Sequence, residues 1–217
     1  VIYPPWKIVV INLAHRTDRL AAFNAQASKS RILKGRVQLF KALSPADIVP
    51  PKWWQGELPW ARLGSFACLA SHLAVWNAAI IQGVPHLLVF EDDAVLSDDF
   101  DSLTRAMWAE APDDWFGYYL GGHWAKENAP YSESCLRFRG SLGTHAYGLS
   151  AAGLVRAYEH VTWLQHGRGS CIDNAMIDLT RHHEPNRFFM PPRWVVAQAP
   201  GMSDIQHQNV AGTIGWE

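Results

Sequence analysis

His86-Leu-Leu-Val-Phe-Glu91-Asp92-Asp93 is the stretch on which the reading of this chain turns. Its apolar run, residues 87–90, reads as a buried strand. The strand then ends in three adjacent carboxylates. Packing does not favour such an end, because neighbouring negative charges repel and are costly to desolvate. A divalent cation would relieve that repulsion. Hard oxygen donors at the carboxyl edge of a strand suit Mn²⁺ or Mg²⁺ beside a phosphate-bearing ligand. The competing reading is an acidic turn that simply faces water.

Outward from this segment the chain alternates strands and helices. Residues 7–13 read as a strand, with Val9, Val10 and Ile11 β-branched in a row. Residues 17–29 read as a helix that Thr17 can cap, with Leu20, Phe23 and Ala27 at helical spacing. A second strand is expected over 37–43. Residues 64–82 form the strongest helical pattern and are apolar nearly all round, which predicts burial. Further helices are expected over 98–110, 151–161 and 173–182. Strands are expected over 116–120 and 144–149, with one or two short ones within 187–199. Residues 44–62, rich in Pro and Trp, read as an irregular loop that offers Trp53, Trp54 and Trp60 as contact surface. The tail, 200–217, shows no periodicity.

This alternation predicts a single-domain α/β sandwich over 1–217 with a mostly parallel central sheet. Ligands of such sheets sit outside the carboxyl ends of the strands. The loop from Asn12 to Arg16 and the acidic triplet both fall there. Carboxylates holding a cation and an Arg taking phosphate oxygens would together fit a nucleoside diphosphate.

Composition narrows the function further. With 48% apolar and 18% charged residues, 217 residues can bury a real core, and a disordered chain is excluded. The net charge of -1 and the lack of a basic run give no reason to expect nucleic acid as a partner. Three cysteines, at 68, 135 and 171, make no disulfide framework and no metal-ligand spacing, which suggests a reducing compartment. The expected localisation is therefore cytoplasmic, or peripheral at a membrane surface. No stretch is expected to reach the roughly 18–20 apolar residues of a membrane span, and no signal peptide is read at the start. A chain opening on Val rather than Met is consistent with trimming from something longer.

Six segments in order resemble glycosyltransferase family 25, the lipooligosaccharide and collagen-type galactosyltransferases. Val10-Ile-Asn-Leu13 with Arg16-Thr-Asp-Arg19 is similar to that family's opening motif. Gly64-Ser-Phe-Ala-Cys-Leu-Ala-Ser71-His72 resembles its Gly-x-x-Gly-Cys-x-x-Ser-His helix, with Ala67 in place of the second Gly. The remaining four are Leu88-Val-Phe-Glu-Asp-Asp93, Thr144-His145-Ala-Tyr147, Asp173 in Cys-Ile-Asp-Asn, and Gln198 followed by Ser203-Asp204-Ile205.

The resemblance implies a GT-A-like fold. It also implies transfer of a hexose, commonly galactose from UDP-galactose, to a hydroxyl of a glycan or other acceptor, with inversion and metal-assisted departure of the diphosphate. By the same analogy Asp93 is the metal ligand, helped by Glu91 and by His207 from the tail, and the metal is Mn²⁺ or Mg²⁺. Asn12, Leu13, Arg16 and Arg19 would hold the nucleotide and its phosphates. Glu91, Asp92, Ser71, His145, Tyr147 and Asp204 would complete the donor site. Asp173 would be the base that deprotonates the acceptor.

Each assignment has a plainer counterpart. Arg16 could be a solvated loop charge, His72 a hydrogen-bonded core residue, Asp173 a helix cap, and His145 with Tyr147 strand packing. Two other functions compete: a glycan- or nucleotide-sugar-binding module without turnover, and a metal-dependent phosphohydrolase or nucleotidyltransferase.

Overall fold

The computed structural model describes residues 6–51, 54, 62–123, 128–165, 170–205 and 209–212. Its strands are β1 (Trp6–Asn12), β2 (Val37–Lys41), β3 (His86–Glu91), β4 (Ala94–Leu96), β5 (Gly117–Gly121), β6 (Ala129–Pro130), β7 (Leu136–Arg137), β8 (Ala146–Ser150), β9 (Phe188–Met190), β10 (Val196–Gln198), β11 (Gly201–Met202) and β12 (Asn209–Val210). The helices are α1 (Thr17–Ala27), α2 (Arg62–Ile81), α3 (Phe100–Glu110), α4 (Ala151–Gln165) and α5 (Ile172–Asp178), the last running on into a π-helical turn, Leu179–His183.

Eight strands form one sheet in the order β2-β1-β3-β8-β5-β9-β7-β6. β2, β1 and β3 are parallel, β8 enters antiparallel between β3 and β5, and β5 and β9 again run parallel to each other. β7 and β6 follow in antiparallel pairings, so the sheet is mixed, with six of its eight strands running in one direction and β8 and β7 against them, which agrees with the mostly parallel α/β reading. Alternation along the strands sends residues to opposite faces. Val9, Ile11, Leu87 and Val89 join one core with Leu69, Trp76, Leu154 and Met176 of α2, α4 and α5. Ile8, Val10, Leu88 and Phe90 join the other with Phe23 of α1 and Phe100 and Met107 of α3. Helices therefore cover both faces, and the central strands read as continuous apolar runs for that reason.

Three expectations are corrected. Leu63–Ile81 of α2 is long and apolar enough, by length and composition, to cross a membrane (mean hydropathy 1.4), although none was expected. In this fold α2 packs on the sheet through Leu69, Val75, Trp76 and Ala79. Thr17 does not cap α1: the cap position is Arg16, and no side chain makes the cap hydrogen bond. Trp54 is buried against Phe66, with ring centroids 5.2 Å apart, and so offers no contact surface. Trp53 and Trp60 lie outside the described residues. The short strands β4, β6, β7, β11 and β12 carry too few residues for a period of two to show.

Candidate active site

Because β2, β1 and β3 are parallel neighbours, their carboxyl ends open on one edge of the sheet. The loop after β1 brings Leu13 and the first turn of α1 brings Arg19 to that edge, the end of β3 and the turn after it bring Glu91, Asp92 and Asp93, and α2 closes one side with Ser71 and His72. Together they line one cavity. The tail segment 203–205 covers part of it. That approach requires Gly64: a Cβ there would sit 2.8 Å from the Ile205 Cα.

The three carboxylates share a site but not an environment. Asp92 accepts from Asn12 Nδ2 at 2.7 Å and Arg19 Nη1 at 3.1 Å. Asp93 Oδ2 accepts from Arg19 Nη1 and from Gln198 Nε2, each at 3.2 Å. Asp93 Oδ1 is buried without a hydrogen-bond partner. Burial, and then the charge of Glu91, push the Asp93 carboxyl up to about 6. Burial also acts to raise Glu91, but His72, His145 and Thr144 outweigh it and hold the group down at about 2. Thr144 donates its hydroxyl to Glu91 Oε1, and His72 Nε2 stands 3.6 Å from the same oxygen.

His72 is oriented from below. Trp76 Nε1 donates to the Tyr147 hydroxyl at 2.8 Å, and that hydroxyl lies 2.7 Å from His72 Nδ1. An indole N–H can only donate. The hydroxyl therefore accepts from Trp76 and has its own proton left for Nδ1. Where that proton goes to Nδ1, the His72 N–H sits on Nε2, the nitrogen that faces Glu91. His72 is core-buried and hydrogen-bonded, as its plainer reading has it, and it also faces Glu91 of the acidic site. Tyr147 is buried beneath His72 and does not reach the cavity.

Ligand atoms of Glu91, Asp93 and His145 lie within 4.8 Å of one another. His145 Nδ1, like Asp93 Oδ1, is buried without a hydrogen-bond partner. Two buried, unpartnered polar atoms beside the Glu91 carboxylate make a donor set that fits a divalent cation. His207, the expected third ligand, lies outside the described residues. Cys68, His72 and Glu91 form an overlapping group. There, burial followed by the charges of Glu91 and Asp173 pushes the Cys68 thiol well up.

The structure places the other expected residues unevenly. Ser71 donates to the Ala67 carbonyl at 2.7 Å and accepts from the Leu43 amide at 2.9 Å, tying the end of β2 to α2. Arg16 stands behind the cavity wall, paired with Asp204 at 2.6 Å and Asp18 at 2.9 Å. Arg19 is the basic residue in the wall itself. Asp204 is in the wall too, held by Arg16 and by His15 at 3.1 Å. Asp173 is not the cap of α5, because Cys171 holds that position. Its carboxylate accepts instead from the Asn174 and Gly143 amides, at 2.9 and 3.3 Å. Gly143 has φ +81, and a Cβ there would lie 2.8 Å from His145 Nε2. Asp173 thus anchors the turn that leads into Thr144 and His145.

Sequence reasoning did not find His123 or the contact Gln198 makes. His123 Nε2 lies 3.2 Å from His145 Nε2, and burial lowers its imidazole to about 4. Its one signal was position, just past the Gly121-Gly122 end of β5 on the same edge of the sheet.

Residues 6–146 match the profile of Glycosyltransferase family 25 (LPS biosynthesis protein). The chain is 33% identical over 97 residues to the lacto-N-neotetraose biosynthesis glycosyltransferase LgtB of Neisseria gonorrhoeae, covering 41% of this chain and 33% of that protein. It is 33% identical over 110 residues to the glycosyltransferase LgtE of Neisseria meningitidis serogroup B, covering 46% and 37%. The match thus spans little more than a third of these curated relatives. Among solved structures, a glycosyltransferase involved in glycosylation of the major capsid of PBCV-1 aligns with 9% identity and a TM-score of 0.43 over 86% of this chain and 81% of that one. Mouse xyloside xylosyltransferase 1 aligns with 10% identity and a TM-score of 0.45 over 85% and 84%. Likenesses this distant leave the chemistry to the residues themselves.

Proposed function

The chain belongs to glycosyltransferase family 25, and from that premise we propose that it transfers a hexose from a nucleoside diphosphate sugar to a hydroxyl of a glycan. The observation that carries the reading is the meeting of Glu91, Asp93 and His145 with two buried, unpartnered polar atoms, at the strand edge where α/β sheets hold ligands. UDP-galactose is the proposed donor, and the reaction is proposed to invert the anomeric centre.

Each residue then has a task. Glu91, Asp93 and His145 would hold Mn²⁺ or Mg²⁺, which when bound neutralises charge on the diphosphate. Arg19 already balances Asp92 and Asp93 and can also present an N–H to a phosphate oxygen. The apolar wall of Ile11, Leu43 and Ala67 fits the face of a nucleobase. Asp173 takes the proton from the acceptor hydroxyl, and its two backbone donors hold it in place.

Two measurements test this. UDP should bind far more tightly with Mn²⁺ than with EDTA; equal affinity would sink the metal assignment. Incubation with UDP-galactose and a panel of saccharides should release UDP in step with product. Tight donor binding without turnover on any acceptor would leave a nucleotide-sugar-binding module instead.

A further inference from the structure

A second cluster of ligating side chains sits on the far end of α5 from Asp173. Asp178 ends the helix, and the π-helical turn follows, closed by the Glu184 amide donating to the Leu179 carbonyl at 2.7 Å. In an ordinary α-turn the neighbour of Asp178 would lie three or four residues on. The wider turn instead sets His183, five residues on, with its Nε2 3.3 Å from Asp178 Oδ2. His160 reaches the same oxygen from α4, with Nε2 at 2.9 Å. The two imidazole centroids are 4.6 Å apart. Single π-type turns are frequent at functional sites.

We propose that His160, Asp178 and His183 form a zinc-type metal site that clamps α4 to α5. His160 is only 3% exposed, yet its Nε2 has no hydrogen-bond partner despite the short approach to Asp178. A buried nitrogen that donates to nothing is explained if its lone pair points to an ion shared with that oxygen. The spacing fits. Ligands bonded at about 2.0–2.1 Å around a tetrahedral ion stand roughly 3.3 Å from one another. The donor set is two imidazoles and one carboxylate, which suits Zn²⁺ better than the oxygen-seeking Mg²⁺. Arg156 lines the same hollow, but its charge is answered by Glu184 at 2.8 Å. The hollow opens to solvent past the exposed Trp163, which gives an ion a way in and leaves a fourth position for water.

The test uses untagged protein stripped with EDTA, loaded with Zn²⁺ and dialysed, with metal content read by mass spectrometry. Wild type should hold one zinc more per chain than His183→Ala, and Zn²⁺ should raise the Tm of wild type more than that of the variant. His183 is partly exposed, so its removal leaves no buried void, and equal Tm values in EDTA would confirm an intact fold. His160→Gln should lose the same zinc. The difference should persist in an Asp93→Asn background, and His183→Ala should keep Mn²⁺-dependent UDP binding, which separates this site from the cleft. Equal zinc content in wild type and His183→Ala, or none in either, would overturn the proposal.

Discussion

Gln198 Nε2 donates to Asp93 Oδ2 at 3.2 Å, joining the turn after β3 to a strand 105 residues later. The Ala199 amide reinforces the join by donating to the Asp93 carbonyl at 2.8 Å. The acidic turn is therefore held from outside its own segment. Asp93 is kept in place while Oδ1 is left with nothing to bond. Such an arrangement costs stability unless something positive completes it.

That cost gives the first prediction. Folded Asp93 holds its proton up to about pH 6, above the range of an ordinary carboxyl. Between about pH 4 and pH 6 the native state therefore binds more protons than the unfolded chain, and its contribution to stability falls as pH rises through that window. In EDTA at pH 7, Asp93→Asn should be more stable than wild type by about 1–3 kcal/mol, on the scale of 1.36 kcal/mol per pKa unit. Mn²⁺ should stabilise wild type and not the variant. Denaturant melts in both conditions check this, and a less stable Asp93→Asn in EDTA would contradict it.

A second prediction separates two arginines. Arg19 lies in the cavity wall, whereas Arg16 is spent on Asp18 and Asp204 behind it. Arg19→Ala should weaken donor binding by about 1.5–3 kcal/mol, as for a lost charged hydrogen bond. Arg16→Ala should act only through a loosened Asp204 and cost less than half as much. Calorimetric titration of UDP with Mn²⁺ orders the pair, and a larger loss in Arg16→Ala would return the phosphate role to that residue.

Tyr147→Phe probes the stack under His72. It would leave Trp76 Nε1 and His72 Nδ1 buried without a partner, a loss of about 1–3 kcal/mol for an unsatisfied polar group. With no hydroxyl to donate, the tautomer of His72 is no longer set. Thermal melts should fall and turnover should drop, while UDP affinity stays near wild type because Tyr147 does not itself line the cavity. A large change in UDP affinity at unchanged stability would show that Tyr147 does contact donor.

Asp173→Asn tests the base. The amide oxygen can keep the 2.9 Å bond from the Asn174 amide, and only the longer 3.3 Å bond from Gly143 is lost, so the Tm should fall only slightly. Turnover should fall by roughly 10²–10⁴, the range for a lost general base. Near-normal turnover would reduce Asp173 to an anchor for the turn at Gly143. A collapse of donor affinity would move it into the donor site.

Much of this molecule was present in local chemistry. Val9 to Ile11 and Leu87 to Phe90 are apolar without interruption because helices cover both faces of their strands, and that pattern together with the alternation of strands and helices predicts the α/β sheet with its ligand edge. The acidic triplet marks the same edge because three adjacent carboxylates have no packing reason to be there. What the chain order could not supply was pairing at a distance. Arg16 and Arg19 are equivalent as letters; which one faces the cavity depends on Asp204, 188 residues from Arg16. His145 could not be placed beside Asp93 until β8 was seen to run antiparallel next to β3, with the Glu91 amide donating to the His145 carbonyl. The meeting of His160 with His183 depends on a π-turn that no side-chain period announces. Periodicity records which face of an element is buried. Contacts between elements are set by strand order, register and turn geometry, and only the folded chain decides those.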